Sequence, residues 1–214
     1  MIKIGTTDIK GVLLGDTEIS KVYLGTDVVY QNLPYDAEIE YLESTGTQWI
    51  DTGIRNNTNV KMKFKIKPSS KSGTYFMGVD SGIVFGTNNG VNFRANAVSS
   101  INAFDTNAFY SVEMYYSEGR RVCVIDDSET LSSVITRMLD VNILLLATSG
   151  GSGVPNYYLP WSISECKIWE NDALVHDFIP VRVGTTGYLY DKVSKQLFGN
   201  AGTGDFILGP DITE

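Results

Sequence analysis

Lys61-Met62-Lys63-Phe64-Lys65-Ile66-Lys67 alternates without a break between cations and apolar side chains. A period of two puts Met62, Phe64 and Ile66 on one face and the lysines on the other, which predicts a half-buried β-strand. The rhythm continues downstream. In 108–116, AFYSVEMYY, Tyr110, Val112, Met114 and Tyr116 share a face. YFMGV (75–79), GIVFGT (82–87) and GVNFRA (90–95) are strand-sized runs parted by Gly and Asn turns. RRVCVIDDSETL (120–131) reads as a hairpin around Asp126-Asp127, and NILLLAT (142–148) as a buried strand. WSISECKIWE (161–170), LVHDFIP (174–180), GYLYD (187–191), KQLFG (195–199) and DFILG (205–209) complete the series. Only SSVITRMLD (132–140) has the spacing of a short helix. Short strands at intervals of about ten residues are the pattern of a sandwich.

Composition agrees. The 214 residues suit one domain with a small appendage, 43% apolar content is enough for a core, and 21 Gly with 12 Tyr fit strands and tight turns. A net charge of −8 argues against nucleic acid as a partner. The lysine stripe, with Lys71, is the exception. Its lysines are expected to keep a strand soluble and discourage edge-to-edge pairing, the alternative being contact with an anionic partner. Cys123 and Cys166 are read as two buried thiols in facing strands, the alternative being a disulfide between them. One histidine, His176, and no Cys/His cluster leave no basis for a zinc site or a histidine-organised triad. Asp80, Asp126 and Asp127 lack calcium-loop spacing, so neither metal nor cofactor is expected. MIKIGTTDIKG carries no apolar core of a secretory signal, and no run reaches the length of a membrane span.

The first thirty residues repeat. IKIGTTDIKG, VLLGDTEISK and VYLGTDVVYQ begin at Ile2, Val12 and Val22, and Gly5, Gly15 and Gly25 recur every ten residues. Gly followed by Thr or Asp supplies the turn, and the stretch of about seven residues between turns is strand-sized. Apolar residues occupy both parities, as if both faces were covered. So few residues cannot bury a core alone and must pack on the body, on a copy or on a partner. QNLPYDA (31–37) then reads as a linker. The expected organisation is a β-repeat attachment module over 1–31 and a β-sandwich over 35–212.

IEYLESTGTQWIDTGI, FYSVEMYYSEGRRVCVIDD, SISECKIWENDALVHDFIPVR and GYLYDKVSKQLFGNAGTGDF, in that order, resemble the concanavalin A-like, laminin-G-like jelly-roll domain found in tail and fibre proteins of bacteriophages and prophages of gut bacteria. EISKVYLGTDVVYQ resembles a short motif at the N-terminus of such virion proteins. The LYD…F…NAGTG.F block is the most specific part. The resemblance implies an all-β jelly-roll sandwich in a binding or structural role and a place in the virion. The implied partners are other virion subunits through residues 1–31, further copies in a homo-oligomer and a host surface glycan. A bacterial surface lectin-like module is the rival within the binding class.

Glu38, Glu40 and Glu43 in DAEIEYLES approach the Glu-x-Asp-x-x-Glu spacing of laminarinase-type glycosidases, in which two carboxyl groups about 5–5.5 Å apart do the chemistry. Glu38 and Glu43 share a strand face only across a bulge. The central Asp is Glu40 here and the stretch opens the sandwich, so the expectation is no catalysis, with hydrolysis through Glu38 and Glu43 as the alternative. For glycan binding, the loop TSGGSGVPNYYLPW (148–161) offers Tyr157, Tyr158 and Trp161 as ring-stacking surfaces. The competing reading places Tyr158 and Trp161 in the core. GTNNGVN (86–92) offers Asn88, Asn89 and Asn92 as hydrogen-bonding groups, and a tight hairpin explains Asn89-Gly90 equally well.

Overall fold

The structure is a computed structural model. It describes residues 3–4, 7–8, 11–19, 21–69, 71, 75–79, 83–88, 91–135, 137–150, 155–156 and 160–213. The chain divides into two compact units, Met1–Asp36 and Ala37–Glu214. In the first, the ten-residue period becomes three hairpins: β1 (Lys3–Ile4) with β2 (Thr7–Asp8), β3 (Leu13–Leu14) with β4 (Thr17–Glu18), and β5 (Lys21–Leu24) with β6 (Asp27–Gln31). Leu14 pairs Thr17 and Leu24 pairs Asp27, so the turns are Gly15-Asp16 and Gly25-Thr26. Gly15 and Gly25 have φ of 64° and 65°, the left-handed value a two-residue hairpin turn needs at its first position. Leu13, Leu14, Tyr23 and Leu24 are all exposed.

In the second unit β7 (Ala37–Glu38) and β8 (Leu42–Glu43) flank a bend at Glu40 and lead to β9 (Ile50–Arg55) and β10 (Val60–Pro68), the lysine stretch. A meander follows: β11 (Tyr75–Val79), β12 (Val84–Asn88), β13 (Asn92–Ala95) and β14 (Val98–Ala103). A second comprises β15 (Tyr110–Ser117), β16 (Arg120–Ile125) and β17 (Glu129–Val134). Then come β18 (Asn142–Leu145), β19 (Ala147–Ser149), β20 (Pro155–Asn156), β21 (Trp161–Glu170), β22 (Ala173–Val183), β23 (Thr186–Asp191), β24 (Gln196–Phe198) and β25 (Ile207–Leu208).

These strands form an all-β sandwich. One sheet runs β17-β16-β15-β10-β21-β22-β23-β24, with β7, β8 and β25 added where β21 and β22 splay; the other runs β14-β13-β12-β11-β19-β20. Phe64 of β10 is the junction between them. Its ring centroid lies 5.2 Å from Phe76 of β11 and 5.8 Å from Phe85 of β12. Phe76 continues to Trp161 at 5.4 Å, and Phe85 to Phe93 at 5.3 Å. Each large side chain so buried stabilises the fold by about 1.5–3 kcal/mol. The parity read from the lysine stretch holds: Val60, Met62, Phe64, Ile66 and Pro68 are buried and the lysines face out.

The sandwich closes on itself. Ile212 N–H donates to Glu38 O (2.9 Å), Ile39 bridges Asp211, Gly209 N–H donates to Tyr41 O (2.9 Å), and Leu208 pairs Leu42. Arg182 grips Asp211 through two hydrogen bonds of 2.7 and 2.6 Å. Nearby, the NAGTG block clasps the first turn. Ala201 N–H donates to Trp49 O, Thr203 N–H to Thr47 O, and Asn200 Oδ1 accepts from Trp49 N–H. Gly202 leaves no room for a Cβ, which would collide with the Thr47 carbonyl oxygen. The most specific block of the sequence is therefore a structural clasp.

Three expectations need correction. The lysine strand is central, between β15 and β21, so its lysines do not guard an edge. Two of them are answered locally: Lys61 by Glu113 at 2.5 Å, and Lys67 by the rings of Tyr41 and Phe109 at 4.8 and 5.4 Å. The stretch 132–140 forms no helix among its described residues, because β17 runs through Val134 in register with β16. Cys123 and Cys166 are free and buried, but on the same face of one sheet with β15 and β10 between their strands. Three strand spacings put them roughly 14 Å apart, beyond the reach of a bridge.

Candidate functional site

The outward face of the larger sheet carries an open groove of about 610 Å³. That size falls in the range of ~300–1,000 Å³ typical of small-molecule sites. Its floor comes from the residues that alternate with the core. Lys61 of β10, Glu113 and Tyr115 of β15, and Val124 of β16 all line it. Their neighbours along the chain, Met62, Met114 and Cys123, pair with one another and are buried, so the pleat that builds the core also aims these four side chains outward.

The rim comes from two turns. Thr58 and Asn59 stand on the loop before β10; Asn171 and Asp172 form the two-residue turn between β21 and β22. Asn171 and Asp172 have φ of 51° and 63°, the left-handed pair that a two-residue hairpin of this type requires, and Asn and Asp tolerate it best. The turns are stitched together. Asn171 N–H donates to Asn59 O at 3.1 Å, and Asn57 Nδ2 donates to Glu170 Oε1 at 2.9 Å. Asn57 Oδ1 accepts from Asn59 N–H at 2.8 Å, folding the loop on itself. A rim held by its own hydrogen bonds has little conformational freedom left to lose on binding.

The floor of the groove carries an ion pair. Lys61 Nζ lies 2.5 Å from Glu113 Oε1 and 5.6 Å from the centroid of the Trp169 ring. Tyr116 closes the inner end. Its hydroxyl donates to Asn56 Oδ1 at 2.8 Å, and Asn56 Nδ2 donates to Leu139 O at 3.0 Å. Burial, opposed by nearby Arg121, pushes the Tyr116 hydroxyl up to about 12. It therefore stays a neutral hydrogen-bonding group. The arrangement offers a ring surface, amides, a hydroxyl and carboxylates, without an activated nucleophile.

None of the described residues expected from sequence lines the groove. Trp161 is a correction: at 1% exposure it packs against Phe76 and Phe85 in the core and presents no face to a ligand. Asn88 Nδ2 is bonded to Ser99 Oγ (3.0 Å) and Asn92 Nδ2 to Ile101 O (3.1 Å), so both amides tie strands together. Tyr157, Tyr158, Asn89 and Asp80 lie outside the described residues. Glu38 is exposed on β7, which pairs with β22, whereas Glu43 is on β8, which pairs with β21 and accepts the Ser162 hydroxyl at 2.8 Å. Ile39 and Leu42 are both buried, so the bend at Glu40 supplies the bulge that the spacing demanded. Neither carboxylate lines the groove. Among the described residues no group of three or more His, Cys, Asp or Glu could hold a metal, and no helix is long and apolar enough to cross a membrane.

Sequence reasoning missed Thr58, Asn59, Asn171 and Asp172. The signal was present in two polar turns, RNNTN (55–59) and END (170–172), each beside a long alternating strand. Nothing local says that the turns meet. That follows only from the β10–β21 register, which sets Val60 opposite Glu170.

No family model matches the chain, and no curated protein matches it. Among solved structures it is similar to a "putative carbohydrate binding protein" from Bacteroides ovatus ATCC 8483, with a TM-score of 0.54 and 10% sequence identity. The similarity is one of fold. The alignment covers 80% of this chain and 60% of that one, so the chain spans less than two thirds of its neighbour's length. The shared fold agrees with the all-β sandwich expected from the strand pattern.

Proposed function

We propose that this chain is a non-enzymatic binding module of a phage virion, in a tail, a fibre or a surface decoration. The sandwich meets a host surface glycan in the groove between the 58–59 loop and the Asn171-Asp172 turn. Residues 1–31 attach it to other virion subunits or further copies. The observation that carries the binding reading is the groove itself: Tyr115 on a strand floor, with Asn59, Asn171 and Thr58 on a hydrogen-bonded rim. An aromatic face with amides and carboxylates around it is the chemistry that holds a sugar ring. The description of the Bacteroides ovatus neighbour, which shares the fold, supports the same class of ligand. The resemblance of the sequence to phage tail and fibre proteins supports the virion role.

The test is a glycan array probed with the chain and with Tyr115→Ala and Asn171→Ala variants. Retention of one glycan class by the parent, reduced at least tenfold in both variants, is the expected result. A parent chain that retains no glycan defeats the binding reading. The virion role is checked separately, by finding the chain in purified particles.

A further inference from the structure

We infer that the groove selects uncharged sugars, and that the Lys61–Glu113 ion pair is the device that does so; this rests on the glycan-binding reading above. Among the described residues that line the groove, Lys61 is the only cation. It is already engaged, with Nζ 2.5 Å from Glu113 Oε1 and above the Trp169 ring. Two carboxylates line the groove, Glu113 on the floor and Asp172 on the rim, and a third, Glu170, is held beside the rim by Asn57. Lys63, the ladder partner of Glu113, does not line the groove. A uronate or sialate entering here meets Asp172 and Glu113, while the one cation that could answer it is taken. Like charges facing each other across a partly desolvated contact are strongly unfavourable.

A neutral sugar meets the opposite situation. Its hydroxyl groups donate to carboxylates, and hydrogen bonds to a charged acceptor are about twice as strong as neutral ones. The Asn59 and Asn171 side chains can both donate and accept, so they take whatever pattern the remaining hydroxyls present. Building the exclusion of a competitor into the site, as well as the attraction of the ligand, is a common route to specificity.

The experiment uses the full chain on an array that carries neutral hexose oligosaccharides beside their uronate- and sialate-bearing counterparts. The expected hits are neutral. Glu113→Gln, which releases Lys61, should raise retention of the anionic counterparts at least tenfold. Lys61→Gln, which also breaks the pair but removes the cation, should leave them excluded, so a general loosening of the site cannot mimic the result. Anionic hits from the parent chain, or neutral hits with anionic exclusion unmoved in Glu113→Gln, overturn the selection and leave glycan binding intact. No hit of either kind removes the glycan reading and the selection together.

Discussion

His176 Nδ1 lies 2.9 Å from Oδ2 of Asp191, a carboxylate with no exposed surface. Asp191 also accepts the N–H groups of Asp177 (2.8 Å), Val193 (3.1 Å) and Ser194 (3.0 Å). The His176 ring stacks on Phe178 at 4.8 Å and meets the edge of Phe198 at 5.3 Å. One carboxylate thus holds the turn after β23 against β22, in the LYD block that the sequence marks out.

Burial pushes the Asp191 carboxyl up, but the hydrogen bonds from Ser194, Asp177, His176 and Val193 together outweigh it and hold it at about 2, below the ordinary 3.8. A carboxylate depressed in the folded state stabilises the fold at pH above its unfolded value, and that stabilisation is lost as pH falls through the folded one. The urea midpoint should therefore drop between pH 4 and pH 2. Asp191→Asn should lower stability at neutral pH by about 2–3 kcal/mol and flatten the acid limb. Parallel acid limbs in the two proteins would count against the assignment.

Gly202→Ala should destabilise the sandwich. The added methyl collides with the Thr47 carbonyl oxygen and comes 2.8 Å from Trp49 Cδ1, both parts of the clasped turn. Over-packing of this kind costs about 1–3 kcal/mol, a drop of several degrees in a thermal melt. An unchanged melting temperature would show that the clasp yields freely.

Cys123 and Cys166 should resist iodoacetamide in the native protein and react fully in denaturant. Burial pushes both thiols up, so neither supplies thiolate near neutral pH. Mass spectrometry of the alkylated protein without reduction reads this directly. A cross-linked pair would contradict both the burial and the spacing.

Deleting residues 1–31 should leave the sandwich melting as one cooperative unit while oligomers or particle incorporation are lost. Among the described residues the buried core cluster lies within 39–206, and the hairpins expose Leu13, Leu14, Tyr23 and Leu24, side chains suited to a partner. Light scattering and calorimetry separate the outcomes. A truncated chain that fails to fold makes the repeat part of the core, and one that still assembles moves the contact to the sandwich.

Glu38→Gln and Glu43→Gln should change no turnover of β-glucan, since none is expected of the parent. Reducing-sugar release by the parent that vanishes in either variant would promote the hydrolase alternative.

The strands were readable because alternation is a local property. Lys61–Lys67 declares its parity in seven residues, and Asp126-Asp127 declares its turn in two; both take the expected form, with φ of 47° and 53° at the turn. What depends on neighbours was not readable. Nothing in the lysine stripe says that β10 is central rather than an edge. NILLLAT reads as one strand, but Leu146 at φ 65° splits it, and β19 then pairs parallel to β11. The groove joins residues 58–61 to 113–115 and 171–172 through pairings between distant strands, so its members could not be gathered from spacing. The ring and the loop of Trp161 suggest a ligand surface, but strand β21 begins at that residue and turns the ring inward.

The closure of the sandwich has a mechanical consequence. The Glu38–Glu43 and Ile207–Ile212 segments run antiparallel, and their outer ends, Glu38 and Ile212, sit at the same end of the pairing. Tension applied through those ends would strain the pairs in succession: Glu38–Ile212 first, then Ile39–Asp211, Glu40–Pro210 and Tyr41–Gly209. That is the unzipping direction, in which hydrogen bonds fail one at a time instead of sharing the force. The Arg182–Asp211 pair sits at the mouth of this zipper. It is placed where a first opening would have to pass.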